Sequence, residues 1–283
     1  MFAGRANTTP SATEGGKGEY ELTAEAEKFV NENRNKPFFL YLPHNNPHIP
    51  LAAKPELIER NKGAFNPVYA AVIETLDDAV GRLLRKIDEL GLRERTIFIF
   101  TSDNGGLHVP ELRDDPPTHN TPFRAGKGFL YEGGLRIPLI VRWPGRIKPG
   151  VVTAVPVVNT DLMPTLLDLA GVEPPAGMDG RSYARFLRGG SALEARTFLW
   201  HFPHYNNQGG RPSGAVREGN WRLIEFYDDA RVELYNLARD IGEQNDLAAR
   251  EPKRVAALRS RLPAWRKEIG AQENIPDSNF DPD

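Results

Sequence analysis

Three short apolar runs limit what this chain can become. Pro37-Phe38-Phe39-Leu40-Tyr41-Leu42, Thr96-Ile97-Phe98-Ile99-Phe100-Thr101 and residues 137–142 are nearly free of charge. Runs of that length without a polar face suit strands buried on both sides, as in a parallel sheet covered by helices. Between the first two runs, Asn66 and Pro67 supply an N-cap and a first helical residue. Val72, Leu76, Val80, Leu83, Ile87 and Leu90 then keep helical spacing until Gly91. Strand, helix, strand predicts a right-handed parallel βαβ unit.

Other segments are arranged around this unit. Leu22, Ala26, Phe29 and Val30 share a helical face within residues 22–33, and short helices are expected over 161–170, closed by Gly171, and 182–187, closed by Gly189-Gly190. After about Ser191 the character changes to short strands at 197–202, 213–218, 221–226 and 231–235, with hairpin connections at Gly219-Asn220 and at residues 227–230. An amphipathic helix over 252–269 closes the chain. The expected organisation is an irregular lead-in at 1–20, an α/β portion at 21–190, and an α+β subdomain at 191–283 in which one helix covers a small antiparallel sheet.

Composition removes several function classes. The net charge is −2 and no basic cluster recurs on a predicted face, so neither nucleic acid nor an anionic membrane is expected as principal partner. No apolar run approaches the ~20 residues of a membrane-spanning helix. Residues 1–20 have no apolar core of the kind a signal peptide needs. Cysteine is absent, which excludes disulfides, thiolate metal sites and a cysteine nucleophile in this sequence.

The apolar runs lead into loops of chemical interest. Asp103 and Asn104, before Gly105-Gly106, present adjacent hard oxygens at a strand end, which suits Ca²⁺ or Mg²⁺; an Asx turn would use the same residues. His48, between Pro47 and Pro50, is suited to donating a proton to an anion or leaving group, or is a histidine satisfied by backbone. Lys127, between Gly126 and Gly128 in a loop that also holds Arg124, offers a point charge to an oxyanion, or is simply solvated. His201 and His204 end a strand and fit substrate contact or aromatic packing, with no third ligand evident for a metal. Glu74, Asp77 and Asp78 lie on a helix and read as a solvated face.

Taken in order, residues 38–42 with Asn46-Pro47-His48-Ile49-Pro50, residues 101–106, and Gly126-Lys127-Gly128 to Glu132-Gly133-Gly134 resemble the type I sulfatases of the alkaline phosphatase superfamily. Residues 138–145, Asn159-Thr160-Asp161-Leu162, Asp179-Gly180-Arg181-Ser182, and Glu233-Leu234-Tyr235-Asn236-Leu237 with Asp240 and Glu243 extend the likeness. It implies an α/β fold: an incomplete alkaline-phosphatase-like sheet sandwiched by helices, plus the small C-terminal sheet. It implies hydrolysis of a sulfate ester, with a sulfated carbohydrate or aryl sulfate as substrate. Asp103 and Asn104 would be two ligands of one Ca²⁺, His48 would assist the departing alcohol oxygen, and Lys127 would bind a sulfate oxygen. Arg124, His201 and His204 would lie near the substrate.

The resemblance also implies a formylglycine made from Cys or Ser in a C/S-x-P-x-R motif, and that motif is absent here. Thr8-Thr9-Pro10-Ser11-Ala12 echoes it without the Cys or Ser and without the Arg. The family places this motif, an Asp pair for calcium and a Lys-x-His segment upstream of where this sequence begins. The expectation is therefore a truncated or miscalled start at Met1 and a half-site inactive by itself, from an enzyme whose full-length form is periplasmic or extracellular. The alternatives are a noncatalytic relative that only binds, and a phosphate or phosphonate ester hydrolase of the same superfamily, which the lysine loop disfavours. A sheet lacking strands should expose an apolar face and aggregate.

Overall fold

The computed structural model describes residues 17–111 and 115–273; most of the lead-in, with the motif echo at 8–12, lies outside them. Helix α1 (Glu19–Glu32) packs on α3 (Pro67–Glu89), with the short α2 (Pro55–Arg60) beside it. The start of α3 follows the sequence signal: Asn66 Oδ1 accepts from the Tyr69 N–H at 3.1 Å and Pro67 takes the first turn. Gly91, at φ 67°, lets the chain leave the helix through a left-handed residue. Ala26, Val30, Leu83, Ile87 and Leu92 form the core between these helices, with Phe38, Leu40, Leu42 and Phe98 against it.

The sheet beside these helices departs from expectation in three ways. Residues 37–42 are extended but form no strand, because no chain among the described residues pairs with them. With residues 37–42 unpaired, the predicted parallel βαβ unit is not completed among the described residues; strand β1 (Phe98–Thr101) pairs instead with β2 (Leu139–Arg142), antiparallel, Phe98 opposite Arg142 and Thr101 opposite Leu139. The runs are also covered on one face only. Phe38, Leu40 and Leu42 pack on the helices, whereas Phe39 and Tyr41 are 71% and 77% exposed, as is Ile140 of β2 at 61%. A continuous apolar run says that both faces prefer burial; it does not supply the element that buries the second one.

Helix α4 (Glu132–Leu135) lies in the glycine-rich loop between β1 and β2. Beyond β2 come α5 (Leu162–Leu169) and α6 (Ala184–Leu187). Buried Asp161 holds this region together, accepting from Val158 N at 3.0 Å, Arg181 N at 2.8 Å and the Arg196 guanidinium. The C-terminal sheet is a meander of β3 (Thr197–Phe202), β4 (Ser213–Glu218), β5 (Trp221–Phe226) and β6 (Val232–Asn236), all antiparallel in sequence order. Alternation along the strands serves two cores. Val216, Leu223 and Leu234 face Leu258 and Leu262, while Ala215, Ile224, Phe226 and Tyr235 face Tyr131 of the glycine-rich loop. The predicted terminal helix is broken into α7 (Pro252–Arg259) and α8 (Arg261–Glu268). Pro263 cannot donate to the carbonyl one turn earlier, and the chain turns at Ser260.

Candidate functional site

The loops that leave the first two apolar runs meet at the C-terminal end of β1, the second of them carrying both the Asp103-Asn104 turn and Lys127. Lys127 N–H donates to Gly106 O at 3.2 Å, and Gly105 N–H donates to Gly134 O at 3.0 Å, which lashes the Asp103-Asn104 turn to the lysine loop. Asn120 adds three bonds: its Oδ1 accepts from Gly106 N–H, and its Nδ2 donates to Gly106 O and Ala125 O, each at 2.9 Å. Glycine is required along this seam. A Cβ on Gly105 would stand 1.7 Å from Gly133 O, and one on Gly126 would stand 2.2 Å from Gly106 O.

The side chains at this seam are arranged as follows. Lys127 Nζ lies 3.0 Å from His48 Nε2. His48 Nδ1 is 2.7 Å from Ile49 O, a carbonyl that only accepts, so Nδ1 carries the proton and Nε2 receives the lysine ammonium. Lys17 donates to His48 O, and burial lowers its pKa. Buried Glu19 takes His44 Nδ1, which tethers the same loop to α1. Asp103 Oδ1 accepts from Asn104 N–H at 2.9 Å, an Asx turn, and Asn104 Nδ2 donates to Gly105 O at 2.9 Å. Asp103 Oδ2 and Asn104 Oδ1 remain without a hydrogen-bond partner among the described residues. Both are hard oxygens of the kind Ca²⁺ takes, but no group of three or more His, Cys, Asp or Glu converges among the described residues to complete a cage.

The other sequence candidates have different surroundings. Arg124 is a strut: its Nη1 donates to Tyr235 Oη at 2.8 Å and Glu243 O at 2.9 Å, and its guanidinium stacks on Tyr131. His201 has both ring nitrogens engaged, Nδ1 with Tyr227 Oη at 2.8 Å and Nε2 with Gln272 O at 2.7 Å. His204 is exposed, edge-on to Phe202. Asp77 and Asp78 are exposed on α3, and Glu74 takes Asn61 Nδ2 at 2.7 Å, a solvated carboxylate face as the sequence suggested.

A sulfatase profile matches residues 4–172, more than half of the chain. The chain belongs to the sulfatase family. A second family description, N-sulphoglucosamine sulphohydrolase, C-terminal, matches residues 124–268 of this sulfatase chain. A sulfatase of Formosa agariphila is 34% identical over 263 residues, 82% of this chain and 46% of that protein. Steryl-sulfatase of Rattus norvegicus is 38% identical over 289 residues, 90% of this chain and 49% of that protein. Among solved structures, Ps i-CgsB in complex with k-i-k-neocarrahexaose is similar at a TM-score of 0.74 and 30% identity, over 87% of this chain and 54% of that one. A further structure, in complex with its substrate D-Glucosamine-2-N, 6-O-disulfate, is similar at a TM-score of 0.60 and 28% identity, over 76% and 42%. The sulfatase chain thus spans about half the length of the curated relatives it matches.

Sequence reasoning missed the buried charge cluster that fixes the sulfatase lysine loop to the C-terminal sheet. Glu132, fully buried, pairs with Arg222 at 2.8 Å, Arg217 at 3.5 Å and Arg136. Glu243, also fully buried, accepts from Glu132 N–H at 2.7 Å and lies 3.7 Å from Arg222. Burial pushes the Glu243 carboxyl up to about 7, against the pull of Arg222. Beside it, Tyr131 and Tyr235 both donate to Glu233 Oε2, at 2.7 and 2.8 Å, and burial followed by this acceptor raises both phenols. The partners stand up to 111 residues apart, so no local pattern announces them.

Proposed function

We propose that this chain supplies the sulfate-binding and leaving-group side of a site that hydrolyses a sulfate ester to alcohol and sulfate, with sulfated carbohydrates as the substrate class. The reading rests above all on the 3.0 Å contact between His48 Nε2 and Lys127 Nζ, brought together across 79 residues. A base and a cation held this close at an exposed position await an anion that pairs with both. With the ester between them, Lys127 donates to a sulfuryl oxygen and a protonated His48 donates from Nε2 to the bridging oxygen. The S–O bond breaks, the alcohol leaves with that proton, and water supplies the oxygen and protons that complete the sulfate.

Family membership brings dependence on a formylglycine and a metal. With no cysteine and no C/S-x-P-x-R motif, these residues supply no formylglycine. Asp103 and Asn104 would hold calcium, whose charge would neutralise the sulfuryl oxygens. Two side-chain oxygens are far fewer than the roughly six to eight ligands calcium takes, so tight binding is not expected. The absent nucleophile favours a second reading, a chain that binds sulfate esters without turning them over.

The pure 283-residue chain is therefore expected to bind 4-nitrophenyl sulfate weakly and, with Ca²⁺ added, not to hydrolyse it. Lys127→Ala should weaken binding by about tenfold, the worth of one charge-assisted hydrogen bond. Binding indifferent to Lys127→Ala would sink the site, and calcium-dependent turnover would sink the half-site reading. Preference for 4-nitrophenyl phosphate would point to phosphate esters instead.

A further inference from the structure

Between β3 and β4 the chain makes a tight turn that docks on the lysine loop. Asn206 Nδ2 donates to Gly128 O at 2.8 Å, while its Oδ1 accepts from Gln208 N–H and Gly210 N–H, each at 3.0 Å. The fit leaves no space: a Cβ on Gly210 would lie 2.0 Å from Gly128 O. Tyr205 and Lys127 therefore flank a contact made by their immediate neighbours, and their Cα atoms lie within roughly 15 Å. A sulfated disaccharide is long enough to span a gap of that order.

Tyr205 is 67% exposed and belongs to none of the apolar clusters, so the fold gains little from it. An exposed tyrosine ordinarily rotates freely, but this one is tethered. Its hydroxyl donates to Asp228 Oδ2 at 3.1 Å, Arg211 Nε holds the same oxygen at 2.8 Å, and Arg211 Nη2 reaches Asp229 Oδ2 at 3.0 Å. The ring is thus preorganised, with its ordering entropy already spent in the free protein.

We infer that Tyr205 is the platform for a second, unsulfated sugar ring of the substrate, with His204 and Asp229 beside it for hydroxyl groups. A pyranose presents an apolar C–H face to such a ring and hydroxyls to the flanking carboxylate and imidazole. Arg211 and Arg231 are already paired with Asp228 and Asp229, so this turn offers no unpaired guanidinium to a sulfate on the second ring, which is disfavoured there. The preferred ligand is a saccharide of two or more rings, sulfated on the ring at Lys127 and bare on the next. The inference rests on the sulfate site proposed above.

The test is titration of the full chain by saturation-transfer NMR with three ligands: a 6-O-sulfated monosaccharide, a disaccharide sulfated on that ring alone, and the same disaccharide sulfated on both. Wild type should prefer the singly sulfated disaccharide over the monosaccharide by about fivefold to tenfold. Tyr205→Ala should abolish that preference without changing monosaccharide affinity, and Tyr205→Phe, which keeps the ring and loses the tether, should retain part of it. The second sulfate should weaken binding to wild type. Preference unchanged in Tyr205→Ala, or tighter binding of the doubly sulfated ligand, overturns the platform and leaves the sulfate site standing. If Lys127→Ala binds all three as wild type does, or if wild type binds none, the sulfate site falls and the platform with it.

Discussion

Replacing Glu243 with glutamine should stabilise the chain at pH 8 and leave it nearly unchanged at pH 4.5. The carboxyl is fully buried, its Oε2 takes the Glu132 N–H at 2.7 Å, and its Oε1 has no hydrogen bond. Burial lifts it from 4.5 to about 7 in the folded chain. Below pH 4.5 folded and unfolded chains both carry the proton. Between 4.5 and 7 the unfolded chain ionises first, so stability falls as pH rises, and above 7 the loss is complete. The span of about 2.5 pH units corresponds to about 3 kcal/mol. Glutamine keeps an oxygen for the Glu132 N–H and never ionises, so the variant escapes that loss. At about 2 °C per kcal/mol, the gain is about 6 °C in Tm. Calorimetric scans of both proteins from pH 4.5 to 8.5, at one scan rate, give a difference curve in which every other titrating group cancels. A curve that is flat, or that rises toward acid, would refute a neutral Glu243. An offset added to a curve that still rises between pH 4.5 and 7 would measure only the changed pairing with Arg222.

Gly126→Ala should destabilise the chain by about 2 kcal/mol or more, because the new methyl overlaps Gly106 O; a urea midpoint within error of wild type would contradict the close packing. Replacing Phe39 and Tyr41 together by serine should reduce self-association in sedimentation at unchanged helix content, since both side chains face solvent. Unaltered association would locate the sticky surface elsewhere.

Local signals carried most of the secondary structure. The Asn66-Pro67 start of α3 and three of the four strands of the C-terminal sheet have the boundaries that capping and turn chemistry indicated. His48, Lys127 and the Asp103-Asn104 turn were readable as strand-end residues, and the loops that carry them do meet. What escaped depends on partners distant in sequence. Residues 37–42 have the composition of a strand, but pairing is a property of two segments, and no second one lies alongside. Antiparallel pairing of β1 with β2 follows from the path of the long glycine-rich loop, which composition does not encode. Asn120 reads as an ordinary loop asparagine until both ends of its amide are seen bridging two loops. Arg124, expected near the substrate, spends its Nη1 on Tyr235 Oη and Glu243 O, partners more than a hundred residues away that no local pattern announces.

The glycine seam at Gly105, Gly126, Gly133 and Gly134 makes the two loops one rigid body, in which main chain presses on main chain. Asn120 apart, such a joint has no side chains through which selection could tune it, so the mutual placement of Asp103, Asn104 and Lys127 is inherited whole or lost whole. Variation is easier at His204 and Tyr205, whose exposed side chains can be exchanged without disturbing that joint.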